Sequence, residues 1–168
     1  IEDLWGNKLQ WVDGLVSDAN WDLLLGDKAF NDAGSGYTKQ TTNITANTGG
    51  YFTKVQGGNA GYILANKDGS ETTGYADYGN LDSGRVAYFG GTRSYGCSAG
   101  AFYCRMRSSA SYATASISAR LCFKNEDAVY IGAYLGFVEG GKLRSISGKE
   151  PTGNVTIGNF RTNAKANN

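Results

Sequence analysis

Between Tyr88 and Phe123 the chain alternates residues suited to gripping another molecule with a frame of Gly, Ala and large apolar residues. Tyr brings a large, rigid contact area with few torsions to freeze, Ser and Thr bring adaptable hydrogen bonds, and Arg brings a charged planar fork. Tyr95, Tyr112, Arg93, Arg105 and Arg107 are the expected anchors, of the kind whose truncation in an interface often costs about 2 kcal/mol or more. No Asp or Glu occurs from Ser83 to Asn125, whereas Arg85, Arg93, Arg105, Arg107, Arg120 and Lys124 all do. The local field is therefore basic and favours an acidic epitope. Read blandly, the same stretch is a Gly/Ser/Tyr-rich strand and loop with solvated arginines.

Other chemistries are thinner. The chain has no His, which removes the commonest general base near neutral pH and excludes Ser/His/Asp and Cys/His catalysis. Cys97, Cys104 and Cys122 form neither a C-x-x-C zinc pattern nor a dense disulfide frame, and their pairing is open. Asp68, Glu71, Asp77 and Asp82 lie in a Gly-rich stretch where they are either solvated or gathered on a hard cation, without EF-hand spacing. No metal or other cofactor is expected.

Short strands joined by glycine turns must position these groups, because the chain has 25 Gly, 11 Tyr and one Pro. Trp11-Val12, residues 51–55, 61–64, 85–89, 102–107 and 118–123 read as strands, the last with Ala119, Leu121 and Phe123 on one face. Trp5 and Trp11 read as core residues leading into a turn at Asp13-Gly14. Residues 130–144 read as a hairpin around Glu139-Gly140-Gly141. Ile157, Phe160 and Ala164 are at helical spacing, with Thr152 or Asn154 as the expected cap. Long polar connections fall between Ala33 and Gly50 and between Asn66 and Gly84.

At 168 residues a single domain is expected over the whole chain, burying roughly 70% of the surface its unfolded form exposes. The charge is nearly balanced, 16 Lys+Arg against 15 Asp+Glu, so nucleic acid is not an expected partner. No apolar run is long enough to span a bilayer and no signal-peptide pattern opens the chain, which starts at Ile1 and is expected to be a processed or trimmed form.

Gly6-Asn7 followed by Trp11-Val12-Asp13-Gly14 resembles the Gly-Asn-x-x-x-Trp-Val-x-Gly pattern of the formylglycine-generating-enzyme type of C-type lectin fold, with Leu9 where an aromatic is usual. Gly90-Gly91, residues 99–103, Ser109-Ala110-Ser111 and Ala119-Arg120-Leu121 resemble the variable region of proteins diversified by diversity-generating retroelements, which are phage and bacterial ligand-binding proteins on that fold. In that family, adenines of template codons such as AAC are mutated, and the resulting NNC codons cannot encode Lys, Glu, Gln, Met or Trp. The resemblance places Thr92, Arg93, Ser94, Tyr95, Ser98, Arg105, Arg107, Ser108, Tyr112, Thr114 and Ser116 at such positions, and all are reachable from NNC. It implies an α+β, C-type lectin-like domain of short twisted antiparallel strands, long loops and few helices. It also implies a non-enzymatic binder of a host-cell surface protein or glycan, on a phage tail or a bacterial surface, with homo-oligomeric or virion assembly.

Residues 129–168 resemble the segment that usually opens such proteins, so the order reads as permuted or trimmed. In lectin folds the first and last strands pair, and residues 124–127 would join them. Two alternatives stand beside the binding reading. One is an oxidase of the formylglycine-generating type using Cys97 and Cys104, whose spacing is wider than in those enzymes. The other is a structural tail or adhesin domain.

Overall fold

The computed structural model describes residues 4–40, 49–58, 61–66, 68–73, 77–124 and 129–167. Its strands are β1 (Leu9–Ser17), β2 (Leu23–Leu25), β3 (Thr38–Gln40), β4 (Gly50–Tyr51), β5 (Lys54–Gly58), β6 (Gly61–Asn66) and β7 (Tyr78–Leu81). They continue as β8 (Val86–Phe89), β9 (Cys104–Ser108), β10 (Ile117–Ser118), β11 (Cys122–Lys124), β12 (Val129–Ile131), β13 (Gly136–Glu139) and β14 (Lys142–Ser145). Among the described residues the single α-helix is α1 (Ile157–Lys165), and one turn of 3-10 helix spans Gly96–Ser98. The fold is mixed, mostly strand, with long irregular connections.

The main sheet runs β3-β2-β1-β8-β9-β7-β4, and β10 pairs with the first residues of β1 on the edge that β2 takes further along. Most pairings are antiparallel. β1 with β10 and β7 with β9 run parallel instead. Parallel neighbours need a crossover longer than a hairpin turn, and the irregular 90–103 and 109–116 segments belong to those crossovers. The candidate residues are concentrated there and on β9.

Both faces of this sheet are packed. On one face, Leu9, Trp11, Val16, Val86, Tyr88, Tyr103 and Ile117 join Leu143, Ile157 and Phe160, so the β13-β14 hairpin and α1 cover it. On the other, Leu81, Ala87 and Met106 join Leu23, with Trp21 packed against them. α1 starts where Thr156 Oγ1 accepts the Asn159 N–H at 3.2 Å, one of the donors left over at a helix N-terminus. The expected cap Thr152 has another role: its hydroxyl accepts the Val138 N–H at 2.9 Å. Arg161 then ties α1 to β1 through a bidentate pair with Asp13, at 2.7 and 2.8 Å, and reaches Asp32 at 2.8 Å.

Four local expectations change. Gly14, at φ +92°, lies inside β1 where its register with β8 shifts between Val12 and Val16, so Asp13-Gly14 makes a bulge and not a turn. The 51–55 strand is broken at Phe52, which is fully buried, into β4 and β5. The 118–123 strand is likewise split, because β10 pairs with β1 and β11 pairs with β12. The hairpin is shorter than residues 130–144: β13 and β14 pair tightly across Gly140-Gly141, while Val129–Ile131 turns to β11. The expected connection at residues 124–127 falls largely outside the described residues.

Candidate binding surface

The frame comes first, because it sets where the polar side chains emerge. Gly91 has φ +72°, and a Cβ on it would sit 2.5 Å from the Ala99 Cβ. Only glycine fits that approach of the 91–95 turn to residue 99. Gly100 is just as constrained, since its Cβ would fall on the Asp77 carboxylate. Asp77 is 7% exposed and its carboxylate accepts the Phe102 N–H at 2.6 Å, while the Tyr103 N–H donates to the Gly100 carbonyl at 3.2 Å. Asp77 thus holds the 100–103 turn against the start of β7. Sequence reasoning missed this role by treating Asp77 as a loop carboxylate.

A tyrosine cluster stands on this frame. Tyr103 is 1% exposed and its ring lies 5.7 Å from that of Tyr95. Tyr88 is buried, packs edge-on against Trp11 at 5.5 Å, and shares a 3.2 Å hydrogen bond with the Ser108 hydroxyl. Burial pushes the hydroxyls of Tyr88 and Tyr103 above the ordinary tyrosine range, so both stay protonated. Arg105 lies across from Tyr88 on β8 and level with Asn80 on β7. Its Nη1 donates to the Tyr103 hydroxyl at 3.4 Å, and its buried Nε has no partner.

The expected contact residues therefore separate by environment. Tyr95 and Arg105 lie against Tyr103, and Ser108 bonds Tyr88. Arg93, Ser94, Arg107, Tyr112 and Ser116 are exposed. Ser98 is half-buried and shares a 3.1 Å hydrogen bond with the Tyr51 hydroxyl. Thr92 departs from the expectation: it is only 4% exposed, and its hydroxyl is 2.8 Å from that of Ser94, so it supports the turn from beneath. Thr114 and Ser116 are held by their backbones. The Thr114 carbonyl accepts N–H groups of Ile117 and Asn154, and the Ser116 carbonyl accepts the Leu9 N–H.

Trp5 is the other surprise. Expected in the core, it is 49% exposed, with Leu4 beside it at 37%. The Gly6 N–H donates to the Gly90 carbonyl at 2.9 Å and the Arg93 N–H to the Asn7 carbonyl at 3.4 Å, so this segment borders the 91–95 turn. A half-exposed Trp beside an Arg/Tyr surface is the composition found at interface anchors. The Gly-Asn-x-x-x-Trp pattern carries no signal that distinguishes a buried Trp5 from an exposed one.

The remaining groups do not assemble a reaction centre. All three cysteines are free thiols. Cys97 is exposed, while burial pushes the Cys104 thiol up to about 11, the reverse of an activated thiolate. Asp68 bonds the Thr53 hydroxyl and Glu71 accepts the Tyr51 hydroxyl at 3.0 Å, so with Asp77 turned inward these carboxylates face different partners. Among the described residues no group of three His, Cys, Asp or Glu could hold a metal ion, and no helix is long and apolar enough to cross a membrane. Comparison with family profiles, curated proteins and solved structures found no match to this chain.

Proposed function

We propose that this chain is the binding module of a variable protein diversified by a retroelement, built on a C-type lectin-like fold in permuted or trimmed order. It grips a host-cell surface protein or glycan from a phage tail or a bacterial surface. The observation that carries this reading is the division of labour within residues 90–119. Gly90, Gly91, Gly100, Tyr103, Met106, Ile117 and Ala119 form the buried frame there, whereas Arg93, Ser94, Arg107, Tyr112 and Ser116 project to solvent. A surface of Tyr, Ser and Arg on a rigid base is what a paratope needs, since little ordering entropy is lost on binding.

Two further points support it. Pairing of Cys122 with Ile131 puts the strand that would close the usual order beside the one that would open it, as the resemblance asks of first and last strands. The raised Cys104 thiol also works against the oxidase alternative. The test uses labelled protein on a panel of intact bacterial cells. Replacing Arg93, Arg107 and Tyr112 together with Ala is expected to abolish binding to any strain that the parent protein recognises. Exposed substitutions cost little stability, within about 0.5 kcal/mol each, so the thermal transition should hardly move. Binding that survives the triple change refutes this placement of the contact surface and favours a structural tail or adhesin domain.

A further inference from the structure

Arg105 is a cation that the fold does not satisfy. Among the described residues no ion pair forms at Arg93, Arg105 or Arg107, and Arg105 has one 3.4 Å hydrogen bond to a neutral phenol. Beside it in register, the Asn80 Oδ1 is also buried without a partner. Buried polar atoms are rarely left so, and leaving one unpaired costs free energy that a partner can recover. Contrast Arg161, equally rich in donors, which meets two carboxylates at 2.7 to 2.8 Å.

The surroundings define what would complete the site. Tyr88 faces Arg105 across the strand pair and Tyr103 accepts its hydrogen bond, and both stay neutral, so neither supplies an anion. The covered Nε leaves the Nη1/Nη2 end of the fork for a visitor. A guanidinium end matches the two oxygens of a carboxylate, and such bidentate pairs are among the strongest hydrogen bonds once water is excluded. Arg93 and Arg107 are exposed nearby in sequence, and no acidic residue interrupts residues 83–125.

We infer that Arg105 is the half-buried receptor for a carboxylate, and that the carboxylate belongs to an acidic side chain on a protein partner. This deepens the proposed contact surface and rests on it. A protein surface is favoured over a sugar because one recessed and two exposed arginines call for several separated carboxylates, and because Tyr/Ser surfaces suit protein epitopes.

The test measures binding of the whole chain to immobilised peptides carrying Asp or Glu, to the same peptides with Asn or Gln, and to sialylated glycans. The parent protein is expected to prefer the acidic peptides by about tenfold or more. Arg105→Gln should erase that preference. Arg105→Lys, which keeps the charge but loses the fork, should weaken it while keeping the thermal transition, and so decides the matter if the Gln variant misfolds. A preference unchanged in both variants overturns the inference. Binding to sialylated glycans in place of acidic peptides overturns the protein partner. If Arg93, Arg107 and Tyr112 replaced together abolish peptide binding while Arg105→Gln keeps the acid preference, the contact surface stands and the Arg105 role falls. If neither change affects binding, both fall.

Discussion

Replacing Tyr103 with Ala is expected to cost about 4 kcal/mol, read as a lowered midpoint in chemical denaturation. Tyr103 is among the largest fully buried side chains and joins the core cluster of Trp11, Tyr88 and Ile117. Aromatic-to-Ala changes in such positions lose both transfer energy and packing, roughly 3 to 5 kcal/mol. For a domain with a total of about 5 to 15 kcal/mol, that is a large share. The conservative Tyr103→Phe removes only the hydroxyl that accepts from Arg105 and should cost about 1 kcal/mol. Equal losses for the two variants would show that Tyr103 is held by its hydroxyl and not by its ring, contrary to the packing described.

Asp77→Ala is expected to be the second most damaging change near the surface, at about 2 to 3 kcal/mol. It removes the acceptor of the Phe102 N–H and empties the space that Gly100 leaves for the carboxylate. The pH dependence gives an independent reading. Burial raises the Asp77 carboxyl above its ordinary 3.8, outweighing the Phe102 N–H that lowers it. The native state then keeps its proton at pH values where the unfolded chain has lost it. The stability due to this group is complete below about 3.8 and declines as pH rises through the native value. Thermal melts of the parent and Asp77→Asn from acidic to neutral pH should show that decline in the parent alone. A parent that gains stability relative to Asp77→Asn over the same range would contradict the buried carboxylate.

Much of the strand content was legible in the residues. Val86–Phe89 and the Gly140-Gly141 hairpin follow from β-branched and aromatic runs bounded by glycine, and Cys104–Ser108 from the partial alternation of residues 102–107. The helix was legible from Ile157 and Phe160, both of which the structure buries. Pairing was less legible, because nothing local in Leu9-Gln10 shows that it will meet Ile117-Ser118 in parallel. Of the contact residues, side-chain type identified those that end up exposed, such as Arg93 and Arg107. It could not foresee that Thr92 is buried, that Trp5 is not, or that Asp77 supports the turn, since each depends on long-range packing.

The central claim is that residues 92–116 are diversified over a constant frame, and the DNA flanking the coding sequence tests it most directly. The account predicts a near-identical template repeat and a reverse transcriptase gene close by. Differences between template and coding copy should fall at template adenines, in the codons of Arg93, Ser94, Tyr95, Arg105, Arg107, Tyr112 and their partners. The codons of Gly91, Gly100, Tyr103 and Met106 should match between the copies. Finding no repeat and no reverse transcriptase, or differences scattered equally over frame and surface, would contradict the account.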